Sequence, residues 1–447
     1  MTDLARRVRE SLQLSRIEGI PASIMLGVFD YYLIPLALFL GATTPQIGLL
    51  SALPHLLGSL SLFFAVQAVG WVGSRQRFIW RTAALQAALL IPVAALPLLP
   101  LPGKIGLLTA FMVAFRVLLN LIGPAWGSLM SDYLPAERRG IYFGGRARIV
   151  GASQLVSIAL AGLALSATQP TAPAAGFAAI LAAACAARFI SAWQLSRMAD
   201  VPTHAVPGSD FTFLMFLRRF RESNFVKFVF YTAGIVFATF IAAPFFSVYM
   251  LRDLRFDYAT YMVVHLAAVL PGLLALPVWG RHADAVGNAR VLKTTGAIVP
   301  FIPLLWLVSG SPAYLVLVEL VAGFTWGGFN LCATNFIYDA VTPEKRVRCL
   351  SYFNMINGIA MFAGTSLGGL LADRLPPLLG HRLLFLFVLS GALRLAVYLL
   401  LAPRFREVRA SSRRVSSLQL FFSVVGIRPL LGEDWEPILP FFKRLRR

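Results

Sequence analysis

The chain has 447 residues, of which 58% are hydrophobic and only 13% charged. A soluble domain keeps about a quarter of its residues charged, so this balance excludes an ordinary soluble fold, and 35 Phe residues exclude a disordered chain. The net charge of +20 would point to nucleic acid if it were spread over a soluble surface. Here the basic residues fall between long apolar runs and read as membrane topology instead.

The N-terminal segment Met1–Gly19 carries Arg6, Arg7, Arg9 and Arg16. No small-residue cleavage site follows, so the first apolar run is expected to stay as a helix. A spanning helix needs about 20 mostly apolar residues. Runs of that kind lie at Ile17–Leu40, Ile47–Val69, Phe78–Pro97, Ile105–Met130, Ala147–Ala167 and Ala174–Met198. They continue at Phe225–Met250, Thr260–Trp279, Val291–Val308, Ala313–Ala340, Cys349–Leu371 and Leu383–Leu401. The pattern predicts twelve transmembrane helices in an all-α integral membrane protein.

The basic residues check that count. With the N-terminus inside, the outer loops hold only Lys104, Arg252, Arg255, Arg374 and Arg382, and Arg116, Arg188 and Arg394 fall inside spans. Every other Lys and Arg falls on the inner side, as cytoplasmic loops require, so both termini are expected there. The predicted organisation is a first bundle over 1–198, a cytoplasmic linker over 199–224, a second bundle over 225–402 and a basic cytoplasmic tail over 403–447. Within the linker, Asp210–Asn224 reads as an amphipathic surface helix, with Phe213, Phe216, Leu217 and Phe220 beside Arg218, Arg219 and Arg221. Cys185, Cys332 and Cys349 show neither paired nor metal-binding spacing and read as small packing residues.

The two bundles repeat each other. At one fixed offset Asp132 falls on Asp339, Glu137 on Glu344, Arg138 on Lys345 and Arg139 on Arg346. Leu160, Gly162 and Leu163 fall on Leu367, Gly369 and Leu370 at the same offset, and one residue less brings Arg188 onto Arg394. Charged residues matching in register make chance similarity of apolar helices a poor explanation. Duplicated halves place a solute site near mid-membrane.

The loop after the eighth span reads Gly280-Arg281-His282-Ala283-Asp284-Ala285-Val286-Gly287-Asn288-Ala289-Arg290. It resembles the signature loop of the major facilitator superfamily. A first copy, Gln67-Ala68-Val69-Gly70, has Gln67 in place of the acid and Phe63 in place of the first glycine. The resemblance covers residues 17 to 403. It implies two pseudo-symmetric six-helix bundles and secondary transport of a small solute by alternating access, with proton coupling as one option. It further implies a monomer in a bacterial cytoplasmic (inner) membrane that crosses the bilayer many times. Pro135-Ala136-Glu137-Arg138-Arg139-Gly140 and Gly368-Gly369-Leu370-Leu371-Ala372-Asp373-Arg374 are similar to widespread bacterial members with no assigned substrate. The fifth span lacks the Gly-Pro-rich element of drug–proton antiporters, which argues against drug export. In the loop, Gly280 and Gly287 are expected to allow a tight turn, and Asp284 and Arg290 to close and release the cytoplasmic face; the plain alternative is a positive-inside turn.

By the same resemblance, spans one, four, seven and ten line a central cavity. Charges inside a membrane are costly and mark function. Asp30, Arg116 and Glu319 lie on cavity spans, while Arg188 and Arg394 lie on peripheral ones and read as braces. Arg116, Asn120, Gly123 and Gly127 share one helical face, as do Glu319, Gly323, Trp326 and Asn330. The charged members read as cavity residues and the glycines as packing. Asn354, Asn357, His265 and His55 are further polar candidates, each more often an interhelical hydrogen-bonding residue than a ligand. Asp30 and Arg116 lie at similar depth in one half and are expected to interact, as a proton-coupled switch or as a static bridge. No metal cluster, phosphate loop or nucleophile constellation is present, so no cofactor and no enzymatic role is expected, and energy should come from a gradient. Two rivals stay open: a membrane enzyme, and a transport-inactive relative acting as receptor or accessory subunit, to which the eroded first loop lends weight.

Overall fold

The computed structural model describes residues 3–201, 223–341, 343–408, 419, 420 and 423, without the side chains of 3–5, 136–141 and 343–348. The linker helix expected at Asp210–Asn224 lies, but for its last two residues, outside the described residues. So do most of the tail and the side chains of Glu137, Arg138, Arg139, Glu344, Lys345 and Arg346.

The described chain is helical, with one isolated β-bridge between Leu378 and His381. The first helices are α1 (Asp3–Phe39), α2 (Thr44–Ser61), α3 (Ala65–Val72), α4 (Arg75–Ala95), α5 (Lys104–Tyr133), α6 (Ala136–Thr168) and α7 (Pro173–Ser196). They are followed by α8 (Asn224–Phe240), α9 (Ala243–Val248), α10 (Tyr258–Val286), α11 (Asn288–Ile298), α12 (Ile302–Leu305), α13 (Pro312–Ala340), α14 (Pro343–Ala372) and α15 (Arg382–Leu401). Local chemistry starts several of them. Thr43 and Gln46 form a reciprocal capping box on α2, and the Ser74 and Ser311 side chains cap α4 and α13.

Eleven segments among the described residues are long and apolar enough to cross a membrane. The expected ninth span, Val291–Val308, is the exception: it runs as α11 and α12 with a break at Val299–Phe301. Pro300 and Pro303 favour the break, because each lacks a backbone donor and crowds the preceding turn. Proline elsewhere is tolerated inside α1, α2, α4, α5 and α10, as is common where neighbouring helices re-satisfy the freed carbonyls. Large apolar side chains stand fully outside the packed interior, among them Trp71 at 83% and Val66 at 82% exposure. In water such a surface would aggregate; facing lipid tails it is solvated.

Two compact units make up the chain. The first comprises Met1–Gly208 with Ala243–Leu266 and Met361–Arg374. In it α1 packs on α6 and α7, α4 on α5 and α7, and α2 on α5. Ile79, Ala83, Leu129, Met130, Ala192 and Leu195 fill the core where α4, α5 and α7 meet. The added segments join at the opposite end. The Tyr261 hydroxyl donates to the Tyr31 carbonyl at 2.7 Å, and Arg252 donates to Thr44 at 2.9 Å. Gly48 lies so close to the Gly369 backbone that a Cβ there would stand 2.9 Å from Gly369 Cα, a backbone approach only small residues permit. The second unit comprises Ser209–Ala242, Ala267–Ala360 and Leu375–Arg447. Its core gathers Phe228, Tyr231, Trp279, Val291, Phe336, Phe405 and Leu420. Two of these, Phe405 and Leu420, come from the tail, so the expected interfacial tail contributes buried side chains.

Candidate functional site

In the first unit, α1 carries Asp30 and α5 carries Arg116. Arg116 Nη2 donates to Asp30 Oδ1 at 3.4 Å, and the side chains keep 37% exposure for Asp30 and 27% for Arg116. This is a charge pair open to space on one side. Its seat is made by α2: a Cβ at Gly58 would stand 2.8 Å from both Arg116 Cγ and Asn120 Nδ2. The absence of a side chain there is what lets both long polar residues lie against α2. His55, one turn earlier on α2, lies within electrostatic reach of Arg116. Beyond Asn120 the face stays open, because nothing lies within 4 Å of where a Cβ at Gly123 or Gly127 would be. The packing role expected for these two glycines is therefore corrected: small residues here leave room instead of admitting a neighbour.

Behind the pair stands a buried polar chain. Gln86 donates to the carbonyl of Phe115, the residue before Arg116, at 3.0 Å. Arg188 Nε donates to Gln86 Oε1 at 2.7 Å and Arg188 Nη1 to Ser191 at 2.9 Å. Ser191 donates to Glu18 at 2.7 Å, and Glu18 accepts from Arg146 at 3.0 Å. Each charge of this network thus has a hydrogen-bonding partner, as a low-dielectric site demands. Arg188 braces the bundle through this chain. Glu18 and Gln86 were missed in the sequence: Glu18 sits at the edge of its span, and an uncharged Gln on a peripheral helix gives no signal.

His265 lies with Tyr261 and Tyr31, its ring 4.4 Å and 5.5 Å from theirs, and its Nε2 is 3.5 Å from the Ser247 hydroxyl. This cluster ties α10 and α9 to α1 inside the first unit. In the second unit the expected residues are more scattered. Glu319 is beside Trp306, Asn330 and Asn354 are exposed, and Asn357 donates to the Phe353 carbonyl at 2.8 Å while its own carbonyl oxygen is buried without a partner. Gly323, on the Glu319 face, packs against the Ala268 backbone and serves packing as expected. Arg394 is buried, donating to Ser390 and to the Val299 carbonyl.

The signature loop is a one-residue turn from α10 to α11 at Gly287, whose φ of 93° is left-handed. Gly280 lies inside α10, where a Cβ would make only an ordinary contact with Leu331, so the tight turn rests on Gly287 alone. Asp284 is exposed at the end of α10 and Arg290 is half-buried in α11. Asn288 donates to Asp339 at 2.7 Å, and the Ala289 N–H donates to Glu407 at 2.7 Å. The first unit builds its counterpart with other residues. There Gly73, φ 74°, ends α3, and Gly70 lies within the helix, so the left-handed turn falls three residues after the Gly70 of the sequence match. Arg75 at the start of α4 reaches Asp132 at 2.5 Å and the Val201 carbonyl at 3.0 Å. In both units the helix after the turn thus binds an aspartate that the repeat pairs, together with the segment following the unit's last long helix.

Residues 228–446 match the profile of the Major Facilitator Superfamily. The chain also has the fold of solved transporters. The nucleoside transporter NupG aligns at 14% identity over 89% of this chain and 99% of its own, with a TM-score of 0.67. A bacterial homologue of the iron transporter ferroportin, in its inward-facing state, aligns at 13% identity over 90% and 99%, also with a TM-score of 0.67. A POT family transporter in complex with 5-aminolevulinic acid aligns at 13% identity over 88% and 95%, with a TM-score of 0.64. At such identities the likeness is one of fold. The efflux pump azaK of Aspergillus niger is 31% identical over 110 residues, which span 25% of this chain and 23% of that pump. The chain is a multi-pass membrane protein with the fold of these transporters, and its second half is similar to the Major Facilitator Superfamily.

Proposed function

We propose that the chain is a secondary transporter that moves a small solute by alternating access, with the Asp30–Arg116 pair as its coupling element. The observation that carries this reading is the pair itself: one carboxylate and one guanidinium 3.4 Å apart, seated on Gly58 and open along the Asn120–Gly123–Gly127 face. A lone charge in a span is expensive, so each group holds the other. Protonating Asp30 releases Arg116, whose planar fork then suits a carboxylate or phosphate on the solute. Binding of a proton and an anionic solute are thereby linked. Glu319, Asn330, Asn354, Asn357 and His265 remain candidates for the rest of the site. The Gly287 turn, with Asp284 and Arg290, is assigned to gating at the cytoplasmic side of a bacterial inner membrane. Solute counterflow into proteoliposomes containing the purified protein tests the reading. Exchange of a small anionic solute is expected, and a folded protein that exchanges no anion across a broad panel contradicts it.

A further inference from the structure

A second polar site lies at the end of the second unit, away from the Asp30–Arg116 pair. A cavity of about 540 Å³ is lined by Asn224, Lys227, Pro403, Arg404 and Arg406. Its walls are the first turn of α8, the 3-10 turn Ala402–Arg404 that follows α15, and the extended chain beyond it. Three of the five lining residues are cationic and none is acidic, and among the described residues none of the three cations forms an ion pair.

The site is built by the backbone. The Asn224 side chain clamps Arg406, donating to its carbonyl at 2.8 Å and accepting from its N–H at 2.7 Å. Phe405 is extended, with φ −106° and ψ 152°, and in an extended chain neighbouring side chains point to opposite sides. Phe405 points inward, fully buried against Phe228, Tyr231 and Phe336. Arg406 points the other way and, with Arg404 at the end of the 3-10 turn, lines the cavity. Glu407, the next residue, is not part of the lining and accepts from the Ala289 N–H. The positive end of α8, a helix of 17 residues, adds to the same field.

What would such a site hold? Three like charges with no acidic residue among the described lining favour an anion with several acceptor oxygens. The location narrows the source. Both α8 and α15 belong to spanning segments that end here, the level at which lipid phosphates sit. One turn back along α15, Leu399 and Leu400 are each 62% exposed and offer an apolar strip for acyl chains. Free phosphate would have no use for that strip. We propose that this cavity binds the phosphate of an anionic lipid headgroup, with the lipid tails along Leu399 and Leu400.

The test uses the full chain in nanodiscs of phosphatidylcholine doped with phosphatidylglycerol, with retained lipid read by native mass spectrometry. The variant Lys227→Gln/Arg404→Gln/Arg406→Gln should bind phosphatidylglycerol about 100-fold more weakly, since each cation near an anionic headgroup contributes about one kcal/mol. A control that neutralises Arg77, Arg81 and Arg197 should retain the lipid. The charge-preserving variant Arg404→Lys/Arg406→Lys should hold most of the affinity, which separates charge loss from misfolding. Equal phosphatidylglycerol retention by the wild type and the triple variant overturns the proposal. Protection of the wild type against heat by inorganic phosphate as strong as that by phosphatidylglycerol overturns the lipid as its source.

Discussion

Glu407 occupies the space that a side chain at Gly287 would need, and it accepts the hydrogen bond of Ala289 beside it. The glycine of the signature loop is thus demanded twice: by its left-handed backbone and by a carboxylate from the far side of α15. That carboxylate caps α11, where an anion is favoured by the helix dipole. Gly287→Ala should destabilise the protein by about 1–3 kcal/mol and lower its melting temperature in detergent. Glu407→Ala removes the overlap and leaves the strained φ. The double variant should therefore lose less than the two single losses added together. Strict additivity would show that Glu407 does not fill this space.

The polar chain from Arg146 to Phe115 predicts a stability effect with little direct role in solute contact. Removing Glu18 takes the carboxylate from both Arg146 and Ser191, and Ser191 is the residue to which Arg188 donates. Glu18→Leu should cost about 3 kcal/mol, the scale for orphaning one member of a buried pair. Glu18→Leu/Arg146→Leu should recover part of it. Thermal melts of the purified variants read this, and a double variant less stable than Glu18→Leu would contradict the pairing.

Gly58 predicts the reverse, a functional loss without a large stability loss. A methyl at this position pushes Arg116 and Asn120 off α2. Displacements of about 1 Å can cost 100-fold in rate, so Gly58→Ala should cut transport by about that factor while the melting temperature moves by a few degrees at most. Unchanged uptake would remove Gly58 from the site.

Topology is open to direct labelling, because Cys185, Cys332 and Cys349 are all buried. Thr171→Cys, in the exposed turn between α6 and α7, should react with an impermeant thiol reagent on intact cells. Arg197→Cys, exposed after α7, should not. The opposite pattern would invert the assignment of both termini to the cytoplasm.

Much of this was legible in sequence, for identifiable reasons. Long apolar runs and the side preference of Arg and Lys are properties of composition, and they located the spanning helices to within a few residues at Pro312–Ala340 or Arg382–Leu401. The repeat was legible because Asp132 and Asp339 are charged and in register, and the structure gives them matching partners in Arg75 and Asn288. The partners themselves were hidden, since Arg and Asn do not align by type. The break at Val299–Phe301 was signalled by Pro300 and Pro303, yet other spans here carry proline unbroken, so proline alone did not decide it. Gly58 was unreadable: its importance lies in what α5 places against it. Glu407 was hidden for the same reason, its partner Ala289 being a backbone N–H more than a hundred residues away.

The central claim is that Asp30 and Arg116 couple a proton to an anionic solute, and one substitution tests it most directly. Asp30→Asn removes the titrating group and leaves a side chain of the same size beside Arg116. Purified wild type and variant are reconstituted in parallel, and two quantities are measured: solute exchange at equal pH, and accumulation driven by an imposed pH gradient. Coupling predicts that the variant keeps exchange within about threefold of wild type and loses gradient-driven accumulation, because proton binding no longer contributes to the transport cycle. A variant that still accumulates solute against its gradient when a pH gradient is imposed would contradict the claim.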